Sequence, residues 1–156
     1  RPIVPEIRLV SLDFPCYAHV VCDPMEHQVL TAPPRPKSVL IVDDEQVLCN
    51  VLAEVFQHRG FEARCCFNGR EALDVLELNA QQPDVILLDL CMPGLNGYEF
   101  LKAFRKDNQR TKVVIITGHP EDLGEVMAHS ELLVADYFEK PFILKRVLEK
   151  VEELTS

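Results

Sequence analysis

From Val39 onward, apolar and polar positions alternate between two rhythms. Val39 to Val42 is an unbroken branched apolar run, which predicts a strand buried on both faces. Val47, Leu48, Val51, Leu52, Val55 and Phe56 then recur at helical spacing, and Gly60 after "HR" ends that helix. Phe61 to Phe67 reads as a second strand, and Arg70 to Asn79 as a helix with Ala72, Leu73, Val75 and Leu76 inward. "DVILLDL", Asp84 to Leu90, is a buried strand like the first, and Gly97 to Lys106 is a helix using Phe100, Leu101 and Phe104. "KVVIITG", Lys112 to Gly118, predicts another buried strand, followed by a short helix from Glu121 to about Ser130. A strand around Val134 to Phe138 and a helix carrying Leu144, Val147, Leu148, Val151 and Leu154 complete the pattern.

Five strands alternating with five helices predict an α/β fold, a parallel sheet doubly wound with helices on both faces. "TAPPRPKS", Thr31 to Ser38, is a proline-rich joint that carries neither helix nor ladder. It separates an appendage, residues 1–37, from the domain expected over residues 38–156.

Charge sharpens the division. The net charge of -9 lies entirely after Ser38, where 12 basic residues face 21 acidic ones. That excludes direct nucleic-acid binding as the expected role, because phosphate contact needs a basic face. The longest apolar runs are strand-sized, so no membrane-spanning helix is expected, and the amino terminus shows no signal-peptide pattern. Six cysteines, two of them the adjacent Cys65 and Cys66, resemble no disulfide framework and fit a reducing, cytoplasmic setting.

In open parallel sheets the site lies beyond the carboxyl ends of the strands. Asp43 and Asp44 follow the first strand, Asp89 ends "VILLD", Thr117 ends "VVIIT", and Lys140 follows the last strand. Each aspartate alone reads as a solvated loop residue or a helix cap. Together on one rim they suit a small hard cation, Mg2+, which takes oxygen ligands and is usually completed by phosphate.

The pieces "LIVDDE", "VILLDLCMPGLNGYEFL", "VVIITG" and "DYFEKPF" occur in this order over Val39 to about Leu154. This part of the chain resembles the receiver domain of two-component response regulators. The resemblance implies a flavodoxin-like sheet of order 2-1-3-4-5 that takes phosphate from a histidine kinase or phosphotransfer protein. Carried over by position, it implies Asp89 as phosphoacceptor and Asp43, Asp44, Asp89 and the Cys91 backbone carbonyl as Mg2+ ligands. It further implies Lys140 as the partner of the phosphoryl group and Thr117 with Tyr137 as a switch pair. It implies readout by a downstream protein, or by a second copy, on the fourth helix, last strand and last helix. A cis bond before Pro141 is implied on the same ground. No turnover of a separate substrate is expected, so the domain is not read as an enzyme.

Two departures stand out. The turn before the last strand, often glycine-alanine-aspartate in the family, is "LVADY" here. Cys91 and His119, each two residues beyond a motif residue, occupy positions that tune the phosphoryl lifetime in the family. A haloacid-dehalogenase-type phosphatase needs a second aspartate two residues after its nucleophile. Cys91 follows Asp89 at that spacing and Glu45 follows Asp43, so that class is set aside. A receiver-like scaffold that is never phosphorylated would not need the acidic pair, Asp89, Thr117 and Lys140 together.

The appendage matches nothing in the receiver pattern. Cys16, His19, Cys22 and His27 have metal-ligand chemistry at a spacing foreign to the usual zinc fingers. Short extended pieces, "IRLVSLDF" and "YAHVV", are the favoured reading there. Met25 offers an alternative natural start, and the chain ending after the last helix is expected either as a stand-alone receiver or as part of a larger regulator.

Overall fold

The five apolar runs become five parallel strands, described here in a computed structural model for residues 35–156. They are β1 (Ser38–Val42), β2 (Glu62–Cys66), β3 (Val85–Leu88), β4 (Lys112–Thr117) and β5 (Val134–Glu139). Their order is β2-β1-β3-β4-β5, as expected from the resemblance. The segment 1–34, with Cys16, His19, Cys22 and His27, lies outside the described residues.

Why the central strands are apolar on both sides is plain from the layers. Leu40, Val42, Ile86, Leu88, Val113 and Ile115 pack on one face, with Ala72 and Leu76 of α2 (Gly69–Leu78) and Phe100, Leu101 and Phe104 of α3 (Gly97–Arg105). Val39, Ile41, Val85, Leu87, Val114 and Ile116 pack on the other. There they meet α1 (Gln46–His58) and α5 (Leu144–Leu154). Period-two alternation therefore sends each strand into two cores.

The helix ends follow local chemistry. Gly60, at a φ of 81°, ends α1: its N–H donates to Gln57 O at 2.9 Å, and Phe61 N–H donates to Phe56 O at 3.1 Å. This is the Schellman arrangement, and the left-handed backbone is what calls for glycine. Asn96 and Glu99 cap α3 reciprocally, each side chain accepting from the other's backbone N–H at 2.9 and 3.3 Å.

Two details differ from the sequence reading, and a departure noted there takes a definite form. The buried stripe of α1 is Cys49, Leu52, Ala53 and Phe56, whereas Val47 and Val51 stand exposed at 74% and 46%. Cys49, a small apolar residue when unpaired, and Ala53 share the inward face with Leu52 and Phe56. The expected helix from Glu121 to Ser130 is reduced to α4 (Leu123–Met127), between single 3-10 turns at Pro120–Asp122 and Ser130–Leu132. Pro120 sits where no backbone donor is needed, and Gly124 gives the segment little intrinsic helix preference. Finally, Leu133 takes a left-handed backbone, φ 51°, in the "LVADY" turn where the family often has glycine.

That turn is held by a residue the sequence did not flag. Arg105 is buried and donates to Leu132 O (2.7 Å), Thr111 O (2.9 Å), Leu133 O (3.0 Å) and Asn108 O (3.1 Å). Burial lowers its pKa, and the four carbonyls offset that cost with charge-assisted bonds. Arg105→Ala is expected to leave those acceptors unpaired and open a cavity, costing about 3 kcal/mol. A thermal melt should drop by on the order of 10 °C. An unchanged melt would show that the carbonyls find other partners.

Candidate functional site

Four of the five strand ends, those of β1, β3, β4 and β5, deliver polar residues to the same rim. Asp43 continues β1 with its N–H bonded to Cys66 O at 3.1 Å, and Asp89 continues β3 with its N–H bonded to Val42 O at 2.9 Å. These ladder bonds put both carboxylates side by side, and both are buried, 3% and 5% exposed. Asp44 is exposed beside them. Carboxylate oxygens of Asp43, Asp44 and Asp89 lie within 4.8 Å of one another.

Lys140 answers the charge that these groups create. Its Nζ donates to Asp43 Oδ2 at 2.7 Å and to Asp89 Oδ2 at 3.0 Å, with Glu45 Oε2 farther off at 4.0 Å. The Lys140–Pro141 peptide bond is cis, as the resemblance implies, and Lys140 N–H donates to Thr117 O at 2.8 Å. β4 and the chain after β5 thus fix the ammonium over the two aspartates. Burial works against a charge on Lys140, but the bonds to Asp43 and Asp89 and their attraction outweigh it and raise its pKa.

Asp89 is shifted in the opposite sense for a carboxylate. Burial is the largest influence and raises its pKa, helped by the Asp43 charge. The Cys91 N–H on Oδ1 at 3.0 Å and the Lys140 ammonium pull the other way without winning. A buried carboxylate held at a cost beside two others gains from any added positive charge. Three hard oxygen donors at this separation fit Mg2+.

The backbone approach to the acceptor is equally specific. A Cβ on Gly97 would fall on the Asp89 carbonyl oxygen and 2.7 Å from Leu90 Cα. Only glycine lets α3 start this close to the acceptor loop. Gly94, with φ 79°, makes the turn before it.

The remaining expected residues are distributed unevenly. Thr117 is fully buried at the end of β4, and its Oγ1 accepts from His119 N–H at 3.0 Å. Tyr137 lies on β5 opposite Ile115, two rungs from Thr117, and its side chain is 44% exposed. It is therefore outside the acidic cluster. The Cys91 thiol donates to Asp122 Oδ2 at 3.1 Å. Burial and then the bond to Asp122 push that thiol up to about 11. Sequence reasoning had no signal for Asp122, which meets Cys91 across 31 positions.

Comparison with known proteins finds the same fold. The model of the response regulator receiver domain family matches residues 39–152. Sporulation initiation phosphotransferase F of Bacillus subtilis (strain 168) is 32% identical over 117 residues, 75% of this chain and 92% of that protein. Among solved structures, response regulator TrrA of Thermotoga maritima, in complex with Mg2+ and BeF, superposes with a TM-score of 0.66 at 30% identity. That match covers 76% of this chain and 98% of the other. Chemotaxis protein CheY4 of Vibrio cholerae gives a TM-score of 0.67 at 29% identity, covering 77% and 99%.

Proposed function

The chain belongs to the response regulator receiver family, and from that membership and the geometry of its rim we propose that Asp89 is its phosphoacceptor. The donor is a histidine kinase or a phosphotransfer protein. The observation that carries this reading is the Lys140 bridge between Asp43 and Asp89, set where three strands end.

An Asp89 oxygen attacks the phosphorus, and the bond from phosphorus to the donor's imidazole nitrogen breaks, its electron pair staying on that nitrogen. The product is an acyl phosphate. A carboxylate attacking an anionic centre faces repulsion, so positive charge must be in place beforehand. Asp43, Asp44, Asp89 and the Cys91 backbone carbonyl are the groups that would hold Mg2+, which supplies charge to the transferring oxygens. Lys140 supplies a second positive group from the carboxyl end of β5. On phosphorylation it exchanges its Asp89 contact for a phosphoryl oxygen. Nothing in this sequence of steps turns over a separate substrate.

The signal is read on α4, β5 and α5. The phosphoryl group places acceptor oxygens beside Thr117, whose hydroxyl donates to them and moves toward Asp89. Tyr137, now 44% exposed, fills the space by turning inward. Its partner, a downstream protein or a second copy of the chain, must prefer the inward form, since a ligand shifts an equilibrium only by differential affinity. With Mg2+ and beryllofluoride, amide resonances of Tyr137 and of residues 121–130 are expected to move. Shifts confined to the neighbourhood of Asp89 would refute this readout.

The setting is cytoplasmic on this reading. Among the described residues no helix is long and apolar enough to cross a membrane, and Cys49, Cys65, Cys66 and Cys91 are unpaired thiols. We also place the receiver boundary at the proline-rich joint. Arg35 pairs with Asp84, so removal of residues 1–34 is expected to leave a folded domain that still takes phosphate. Loss of the helical circular dichroism on truncation would move the boundary upstream.

A further inference from the structure

Beside the carboxylate rim lies a second cluster of a different chemical kind. Cys91 Sγ, a ring nitrogen of His119 and a carboxylate oxygen of Asp122 lie within 4.8 Å of one another. We infer that Cys91, His119 and Asp122 form a binding site for a borderline-soft divalent cation, Zn2+, separate from the Mg2+ site.

The donor set decides the metal. Thiolate with imidazole and one carboxylate suits Zn2+, whereas Mg2+ takes hard oxygen donors and is served by the three aspartates next door. Distances are compatible. In a tetrahedral site with bonds of roughly 2.0 to 2.3 Å, donors stand roughly 3.3 to 3.8 Å apart. Cys91 Sγ and Asp122 Oδ2 are already 3.1 Å apart, so only His119 has to close in. His119 and Asp122 are both exposed, and rotation about exposed side-chain bonds provides that movement.

An outer partner is also in place. Glu121 Oε1 lies 3.1 Å from His119 Nδ1. A carboxylate only accepts, so this contact favours the tautomer with its proton on Nδ1 and leaves Nε2 as the free base. Carboxylates in this role are common behind zinc-bound histidines. Three protein donors leave a fourth position to water. On binding, the Cys91 S–H proton leaves to solvent and the thiolate sulfur bonds the metal.

Such an ion would tie the loop after β3 to the loop after β4 and to the turn that begins α4. Cys91 thus has two separate assignments, its carbonyl toward the aspartates and its sulfur toward Asp122. That separation makes the site testable independently of any phosphorylation at Asp89.

The test uses the full chain carrying Cys16→Ser and Cys22→Ser, which removes the thiols of the amino-terminal segment, kept reduced and saturated with Mg2+. Titration with Co2+ is expected to give one ion per chain with a thiolate-to-cobalt charge-transfer band, abolished by Zn2+ and absent in Cys91→Ser. Competition against a chromophoric chelator should show Zn2+ held at least about tenfold more weakly by Cys91→Ser, His119→Ala and Asp122→Ala. The Mg2+ affinity of His119→Ala should stay unchanged. Zn2+ should slow amide exchange over residues 119–127 in the parent and not in Cys91→Ser. No charge-transfer band in the parent, a band that persists in Cys91→Ser, or a Zn2+ affinity that falls with Asp44→Ala instead would overturn the assignment.

Discussion

Asp89→Asn is expected to abolish phosphoryl uptake outright. The wild type, given a small phosphodonor such as acetyl phosphate, should gain one phosphoryl group only when Mg2+ is present. An amide at position 89 has no anionic oxygen to attack phosphorus and contributes no charge to the metal. Intact mass measured before and after incubation reads the result directly. Equal labelling of the variant would remove Asp89 from its role and leave the acidic rim without an acceptor.

Loss of labelling must not be loss of fold, and the electrostatics of the site say that it will not be. Folding raises the Asp89 pKa, burial being the main cause, so the folded protein holds more protons there than the unfolded chain above the ordinary value of 3.8. Stability from this group therefore falls as pH rises through the window from 3.8 to the raised folded value. The neutral amide escapes that penalty and still offers Lys140 an acceptor. Metal-free Asp89→Asn is expected to melt at or above the wild type at neutral pH. The advantage should vanish below about pH 4, where the unfolded carboxylate is protonated too. Lys140 bears on the opposite end. Its raised pKa stabilises the fold below its ordinary 10.5 and ceases to do so as pH climbs through the folded value. A variant markedly less stable than wild type at neutral pH would mean that the Lys140–Asp89 bond outweighs the cost of burying the carboxylate.

Most of this site was legible in the sequence because its geometry is one-dimensional. A buried parallel strand ends where its apolar run ends, so "LIVDD", "VILLD" and "VVIIT" already point Asp43, Asp89 and Thr117 to one rim. What escaped depends on where side chains turn after the strands have been assembled. Val47 and Val51 share the helical period of α1, yet the face that meets the sheet is Cys49, Leu52, Ala53 and Phe56. Arg105 reads as the surface end of α3 until the turn at Leu132 and Leu133 folds over it from 27 and 28 positions away. The shortening of α4 has the same origin, since neighbouring turns, not the apolar pattern alone, set where its backbone bonds stop.

The same logic separates the two aspartates that the sequence presents as a pair. Asp43 Oδ1 accepts from Glu45 N–H at 2.9 Å and Oδ2 from Lys140 at 2.7 Å, so both of its oxygens are committed. Asp89 is committed likewise, to Cys91 N–H and Lys140. Asp44 is exposed and, among the described residues, takes part in no side-chain hydrogen bond or ion pair. It is the carboxylate that binds a cation without first giving up a partner. Asp44→Ala is therefore expected to weaken Mg2+ by more than the roughly 10- to 100-fold that loss of an outer-shell partner costs. Cys91→Ser should leave the affinity nearly unchanged, because only the backbone carbonyl of that residue is assigned to the metal. The chain has no tryptophan to report binding, so calorimetric titration is the appropriate measurement. If Asp44→Ala binds Mg2+ as the wild type does, Asp43 must release Lys140 on metal entry. The bridge over Asp43 and Asp89 would then be a resting contact that the cation displaces.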